Sequence, residues 1–524
     1  MKNIYKNSLI VSFFITLLFT GCSEDFLDLN DENQLQAETY FTKIGNLDLT
    51  LNSVYSSLKS YDLFGSEYAP KVLEMLPHTS NQDWLGHIQW NQMATNEVTS
   101  DNEIVRDVWR GWYRVISRAN DFIVNAKIYK ESDFIKPGEE ETVDQMIGQA
   151  SFIRAYANFS IVRLWGEGKA TEPSKLAAPL ILDVPATQED MLVSRATVGD
   201  MYTQIISDFK VAETLLPDSW DPDNIARVNK YTAKGFLGKV YLYQEDYPKA
   251  KDYLEEVVNG PFQLVSSDKY DGLFHGESEF STESIWELNF HTDLVTHVWN
   301  GGTGTQIALI TAPFGTGWSN VWPHDENIRR FGDDPRLNVN ALEPGVAEVT
   351  NGSGVTSVLE KFPTEEGGLG WSYKKYVPLD YSVYTTNQNY GANYHIMRLG
   401  GVYLLYAEVL NALEQDTDAL EYVNKVRRRA YGKDVNTPDP EVDFAGLTGT
   451  GLRDTIREER FRELFNEGQR WFDIVRWGIA AEESAKYEKV RSGTISFQDP
   501  KDNYLPIPRE ELESNSALTP STGY

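Results

Sequence analysis

The side chains best placed for chemistry in this sequence are tryptophans set among amides and carboxylates. Asn81, Gln82 and Asp83 immediately precede Trp84, and Trp90 follows in the same stretch. Farther along, Asn300 follows Trp299, Asn320 lies between Trp318 and Trp322, and Trp371 sits in a glycine-rich run. An indole can lie against the C–H face of a pyranose ring while amides and carboxylates meet its hydroxyls, so this is the composition of a glycan cleft. Trp84, Trp318, Trp90, Trp299, Trp322, Trp371, Asn81 and Asp83 are therefore candidate ligand-binding residues, with Trp84 and Trp318 foremost. A tryptophan that pins a long loop into a core is an equally ordinary use of the same residue.

Covalent chemistry finds no comparable support. The seven histidines (His78, His87, His275, His291, His297, His324 and His395) never fall at metal-ligand spacing on a predicted helix, and no HExxH occurs. Gly302 and Gly304 lack the strand-turn-helix context and the lysine of a phosphate loop. Asp221 and Asp223 are weak calcium candidates, and no metal or cofactor is expected. Cys22 is the single cysteine, which removes disulfide frameworks, zinc clusters and redox pairs. With 78 acidic residues some carboxylates must pair, but a glycosidase reading needs a carboxylate separation that sequence does not give. The expectation is a protein that is not an enzyme.

These loops need a scaffold, and the apolar spacing supplies one. Helical periodicity runs over 40–60, 104–129, 142–166, 197–216, 231–258, 396–431 and 452–486. Between 260 and 395 it breaks down, and this stretch holds 16 of the 38 glycines and five tryptophans. Long irregular segments in a folded chain are usually functional. A shorter irregular stretch, 61–103, carries Trp84 and Trp90.

Residues 231–258 have an internal grammar. Leu237-Gly238, Tyr241, Ala250, Leu254 and Val257 alternate small and large residues as a tetratricopeptide unit does. A second unit reads through Tyr403, Tyr406, Ala407, Leu410, Ala419, Val423 and Val426. One such pair cannot bury its own apolar face, so 104–129, 142–166 and 197–216 are candidates for further degenerate units. An ordinary helical bundle is the alternative.

At the N-terminus, Lys2 and Lys6 precede an apolar run from Leu9 to Phe19, then Thr20, Gly21 and Cys22. The run is too short for a membrane span and reads as a signal peptide over 1–21. The arrangement resembles a bacterial lipoprotein box in which Cys22 is lipidated, with Phe19 where leucine is usual. Ser23, Glu24 and Asp25 then resemble an acidic export tag. The formal charge of −30 with no basic block makes nucleic acid an unlikely partner.

Four segments carry a wider resemblance: RAYANFSIVRLWG at 154–166, SRATVGDMYTQIISDFKVAETLLP at 194–217, ERFRELFNEGQRWFDIVRWG at 459–478, and YLPIPREELESNSAL near the C-terminus. Together with the lipobox and the repeat units they resemble the SusD/RagB family in order along nearly the whole chain. The resemblance implies a mostly α protein: a tetratricopeptide-like helical-repeat scaffold carrying a large irregular, loop-rich ligand-binding subdomain. It divides the chain into a signal peptide at 1–21, an N-terminal helical region at 22–258, a loop-rich region at 259–395 and a C-terminal helical region at 396–524. It also implies a lipid-anchored protein exposed at the outer-membrane surface, which captures oligosaccharides for a SusC-like TonB-dependent transporter. Peptide capture, a purely structural lid on the transporter and a glycoside hydrolase are the alternatives.

The signature segment itself reads as structural. Glu459, Glu463 and Glu467 lie four apart with Arg460, Arg462 and Arg470 interleaved, which suggests ion pairing along one helix. Trp471, Phe472 and Trp477, like Trp109, Trp112 and Trp165, are expected to pack. Pro506 and Pro508 fix an extended C-terminal segment.

Overall fold

The computed structural model describes residues 40–82, 86–292, 304–362, 368–382, 390–487, 489–490 and 493–524. The signal-peptide reading and Cys22 lie outside these residues, as do Asp83, Trp84 and Trp299. No described helix is long and apolar enough to cross a membrane.

The scaffold is a series of long helices, each packed on the next in chain order. These are α1 (Ile44–Leu58), α2 (Glu103–Glu131), α3 (Glu140–Trp165), α4 (Val198–Leu215), α5 (Lys230–Tyr243), α6 (Tyr247–Val258), α7 (Leu399–Ala412) and α8 (Asp416–Ala430). Their starts are written locally. The Asn102 side chain accepts from the backbone N–H groups of Ile104 and Val105, and Thr197 with Asp200 and Asn229 with Thr232 form capping boxes.

Both repeat units form helical hairpins, α5–α6 and α7–α8. Each turns through a glutamate in the left-handed region, Glu245 (φ 58°) and Glu414 (φ 59°). Gly238 is required by the approach of α6: a Cβ there would lie 2.6 Å from Leu254 Cγ. Ala250, Ala407 and Ala419 are fully buried. The helices α2, α3 and α4 continue the array. Trp112 is buried edge-on to Tyr68 and Tyr156, and Trp109 meets Trp165 edge-on at 5.1 Å. The extended C-terminal segment seals the end of α3, where Trp165 Nε1 donates to the Pro506 carbonyl at 2.9 Å.

Between α6 and α7 the chain leaves the array and returns beside itself. Of four strands that matter here, β1 (Ser80–Gln82) pairs antiparallel with β3 (Val321–Pro323), and β2 (Ser284–Leu288) pairs antiparallel with β4 (Tyr394–Arg398). One main core includes residues from before, within and after the loop-rich stretch, among them Leu47, Trp286, Tyr373 and Trp471.

The signature segment corrects the expectation of one helix. Helix α9 (Gly449–Glu463) ends at Glu463, the chain turns through Asn466 (φ 59°) and Gly468 (φ 68°), and α10 (Arg470–Arg476) starts anew. At Gly468 a side chain would strike Leu73, with an added Cβ 2.6 Å from Leu73 Cδ1. Most of the charges pair across elements rather than along a helix, the exceptions being Arg462 to Glu459 at 3.1 Å and Arg476 to Asp473 at 2.9 Å. Glu459 meets Arg336 (2.7 Å), Glu463 meets Arg398 (2.5 Å) and Arg429, and Glu467 meets Lys375 (2.7 Å) and Arg398 (2.7 Å). Arg460 pairs with Asp473 and Arg470 with Glu483. Glu283 on the loop side binds both Arg398 and Arg429. This buried network clamps the loop-rich region onto the C-terminal helices.

Candidate functional site

The antiparallel β1–β3 ladder brings two of the sequence-predicted clusters together. Asn81 is paired with Trp322, and Gln82 with Val321. Beneath the ladder, Asn327 Nδ2 donates to the carbonyls of His78 (2.8 Å) and Thr79 (3.1 Å), and Tyr373 donates to Thr79 O (3.0 Å). Burial holds His78 neutral, its pKa pulled down to about 3.

Just before β3, residues 312–320 form a closed loop on a short buried helix, Ile307–Thr311. Trp318 N–H donates to the Leu309 carbonyl (3.1 Å) and Asn320 N–H to that of Ile310 (2.9 Å). The hydroxyls of Thr316 (2.7 Å) and Ser319 (3.0 Å) both donate to the Pro313 carbonyl. Left-handed backbone at Gly315 (φ 87°) and Ser319 (φ 52°) lets the loop turn this sharply.

The loop presents two aromatics outward. Trp318 is 41% exposed and Phe314 38% exposed, and Trp318 is the one tryptophan left exposed among the described residues. Behind them lies a stiff backing: Phe314 meets buried Phe362 edge-on at 5.8 Å, and Phe362 stacks on buried Trp322 at 4.2 Å and 26°. Two indoles thus divide the uses that the sequence left open, one presented to solvent and one pinning the shelf.

The remaining candidates are placed differently. Trp90, only 2% exposed on the helix Ile88–Thr95, lies under the Lys71 ammonium (4.8 Å), so it corrects to a core residue, and so does Trp322. Trp371 and Asn81 are half-buried, and Asn81 Oδ1 accepts from Gln82 N–H. Asp83, Trp84 and Trp299 lie outside the described residues. Asp221 caps its own turn, accepting from Asp223 N–H at 3.0 Å. Phe314 was missed by the sequence reading, although its setting, Pro313-Phe314-Gly315, is a turn signal wrapped around an aromatic.

No group of three side chains suited to holding a metal occurs among the described residues. The arrangement is a helical-repeat scaffold with an aromatic shelf, backed by buried rings, on its irregular insertion.

The comparisons place it. A family model described as "SusD family" matches residues 282–524, and one described as "Starch-binding associating with outer membrane" matches 25–242. A SusD-like protein of Formosa agariphila is 26% identical over 98% of each chain, and a SusD-like protein of Bacteroides ovatus is 25% identical over 91% of this chain and 83% of its own. Among solved structures, a laminarin-binding SusD-like protein superposes with a TM-score of 0.73 at 23% identity, covering 92% of this chain and 99% of its own. A SusD homologue of Bacteroides thetaiotaomicron gives 0.76 at 21% identity, covering 93% and 98%. The chain belongs to the SusD/RagB family.

Proposed function

We propose that this protein captures glycan nutrients at the outer-membrane surface without covalent chemistry, held there through a lipid on Cys22, and delivers them to a SusC-like TonB-dependent transporter. The observation that carries the binding part is the exposed Trp318, beside Phe314, on a loop whose backing aromatics are buried and stacked. Such a platform can stack on the apolar face of a sugar while staying rigid. Trp84 and Asp83, which follow β1 in sequence, are proposed as further contacts, with Trp299, Trp371 and Asn81 at the margin. The laminarin-binding relative and the starch-binding family description support the ligand class. An open shelf must displace well-solvated hydroxyls and still release its cargo, so a Kd on the order of micromolar to millimolar is expected.

The test is a titration of the chain from residue 23 onward against plant, host and microbial oligosaccharides, with the mixtures checked for shortened products. Saturable binding of one glycan class with no products is the expected result. Silence across the panel would favour peptide capture or a lid role, and shortened products would overturn the non-enzymatic reading.

A further inference from the structure

A cavity of about 470 Å³ opens at the C-terminal end of α3, and none of its walls comes from the aromatic shelf. It is bounded by the last turn of α3, the loop 166–175, the end of α10 and residues 499–504. Its inner wall is Arg163. That guanidinium is sandwiched between the rings of Phe159 and Phe472, at 4.0 and 3.7 Å from their centroids. Nε donates to the Phe159 carbonyl (3.0 Å) and Nη2 to the Ser160 hydroxyl (3.4 Å), and the charge has no carboxylate partner among the described residues.

Beside it, Tyr243 is more than nine-tenths buried; Arg163 lies within hydrogen-bonding reach of its oxygen, but its O–H finds no acceptor among the described residues. Arg476 is itself satisfied by Glu408 (2.6 Å) and Asp473 (2.9 Å). At the mouth, Lys169 Nζ lies against Gly478 and the Lys175 stem against Gly168, and neither ammonium pairs with a described carboxylate. The acids of the lining are otherwise engaged. Glu167 binds Arg195 (2.6 Å), Glu172 accepts from Lys169 N–H (2.9 Å), and Asp499 accepts from Asn503 (2.6 Å). In a chain of net charge −30, this is one cavity with three cations that no described carboxylate matches and a buried hydroxyl whose O–H lacks an acceptor. A buried polar group without a partner is costly unless something else supplies one.

We propose that this cavity binds a sugar bearing an oxyanion, such as a uronic acid or a sugar sulfate. The Arg163 guanidinium and the Tyr243 O–H take the oxyanion, the two lysines draw it in, and the rings of Tyr202 and Phe472 flank the remainder. The volume lies within the range of small-molecule sites. The oxyanion part stands on this cavity alone, whereas the sugar part rests on the glycan reading above.

Calorimetric titration of the mature chain with D-galacturonate, D-glucose 6-sulfate, D-galactose and sodium sulfate tests it. Arg163→Met keeps an apolar stem between the two phenylalanines, Tyr243→Phe removes only the hydroxyl, and thermal melts confirm that both fold. The expected result is binding of an anionic sugar that salt weakens, that falls about tenfold in Arg163→Met and about threefold in Tyr243→Phe, and that Trp318→Ala leaves unchanged. Galactose shows no binding. The proposal is overturned if neither anionic sugar binds the wild type, if sulfate alone binds as tightly, or if both cavity variants bind as the wild type does. A failed glycan reading is separately visible, as a negative neutral-glycan panel while this binding persists.

Discussion

At the scale of single residues, the signature glutamates matter because of what surrounds them. Glu463 is fully buried and faces Arg429, Arg398 and Arg336. Burial pushes its carboxyl up, but the three guanidinium groups outweigh that and hold it far below the usual carboxylate range. Glu463→Gln leaves those arginines buried with too little counter-charge, so a loss of about 3–5 kcal/mol is expected in denaturant unfolding. A loss below about 1 kcal/mol would show that the cluster is not coupled. Burial opposes and arginines prevail at Glu467 and at Glu483 as well, the latter lowered to about 2. Carboxylates with depressed folded values stabilise the fold above their ordinary pKa and lose that contribution as pH falls through the acid range. Glu74 has the opposite sign. Burial raises it to about 7 against the hydrogen bonds from Thr79 and Gly468, so folding takes up a proton and this contribution shrinks as pH rises from about 4.5 to 7. Glu74→Gln should therefore remove a downward slope of stability between about pH 5 and 7, measured as the unfolding midpoint against pH. An unchanged slope would contradict the assignment.

At the scale of elements, the repeat hairpins depend on their small residues. The α5–α6 contact leaves no room at Gly238, where Leu254 Cγ and Cδ2 would lie 2.6 and 2.7 Å from a Cβ. Gly238→Val is expected to cost about 1–3 kcal/mol or more in thermal or denaturant unfolding, while a neutral outcome would mean that the two helices are free to shift apart. These hairpins were legible in the sequence because Gly238, Ala250, Ala407 and Ala419 repeat at fixed offsets, a local signal. The helix break after Glu463 was not. Its cause, the approach of Leu73 to Gly468 and the pull of Arg398 and Lys375 on Glu467, comes from residues far away in the chain. The same holds for the shelf: β1 pairs with β3 across more than two hundred residues, so sequence could name Asn81 and Trp322 but not that they are neighbours. It could also not tell presented Trp318 from buried Trp90, since burial is decided by what packs on top.

At the scale of the whole molecule, a continuous helical array supports an irregular insertion, and the buried charge network fastens the two. That division of labour suits the capture proposed above, in which the scaffold fixes the shelf and the shelf is the part that stacks on the sugar. The most direct measurement is the affinity of the Phe314→Ala/Trp318→Ala double variant for the tightest-binding glycan, alongside its melting temperature. The account predicts a loss of at least about tenfold with the melting temperature kept near that of the wild type, because both rings face solvent. Undiminished affinity in a folded double variant would contradict the claim that this shelf holds the glycan.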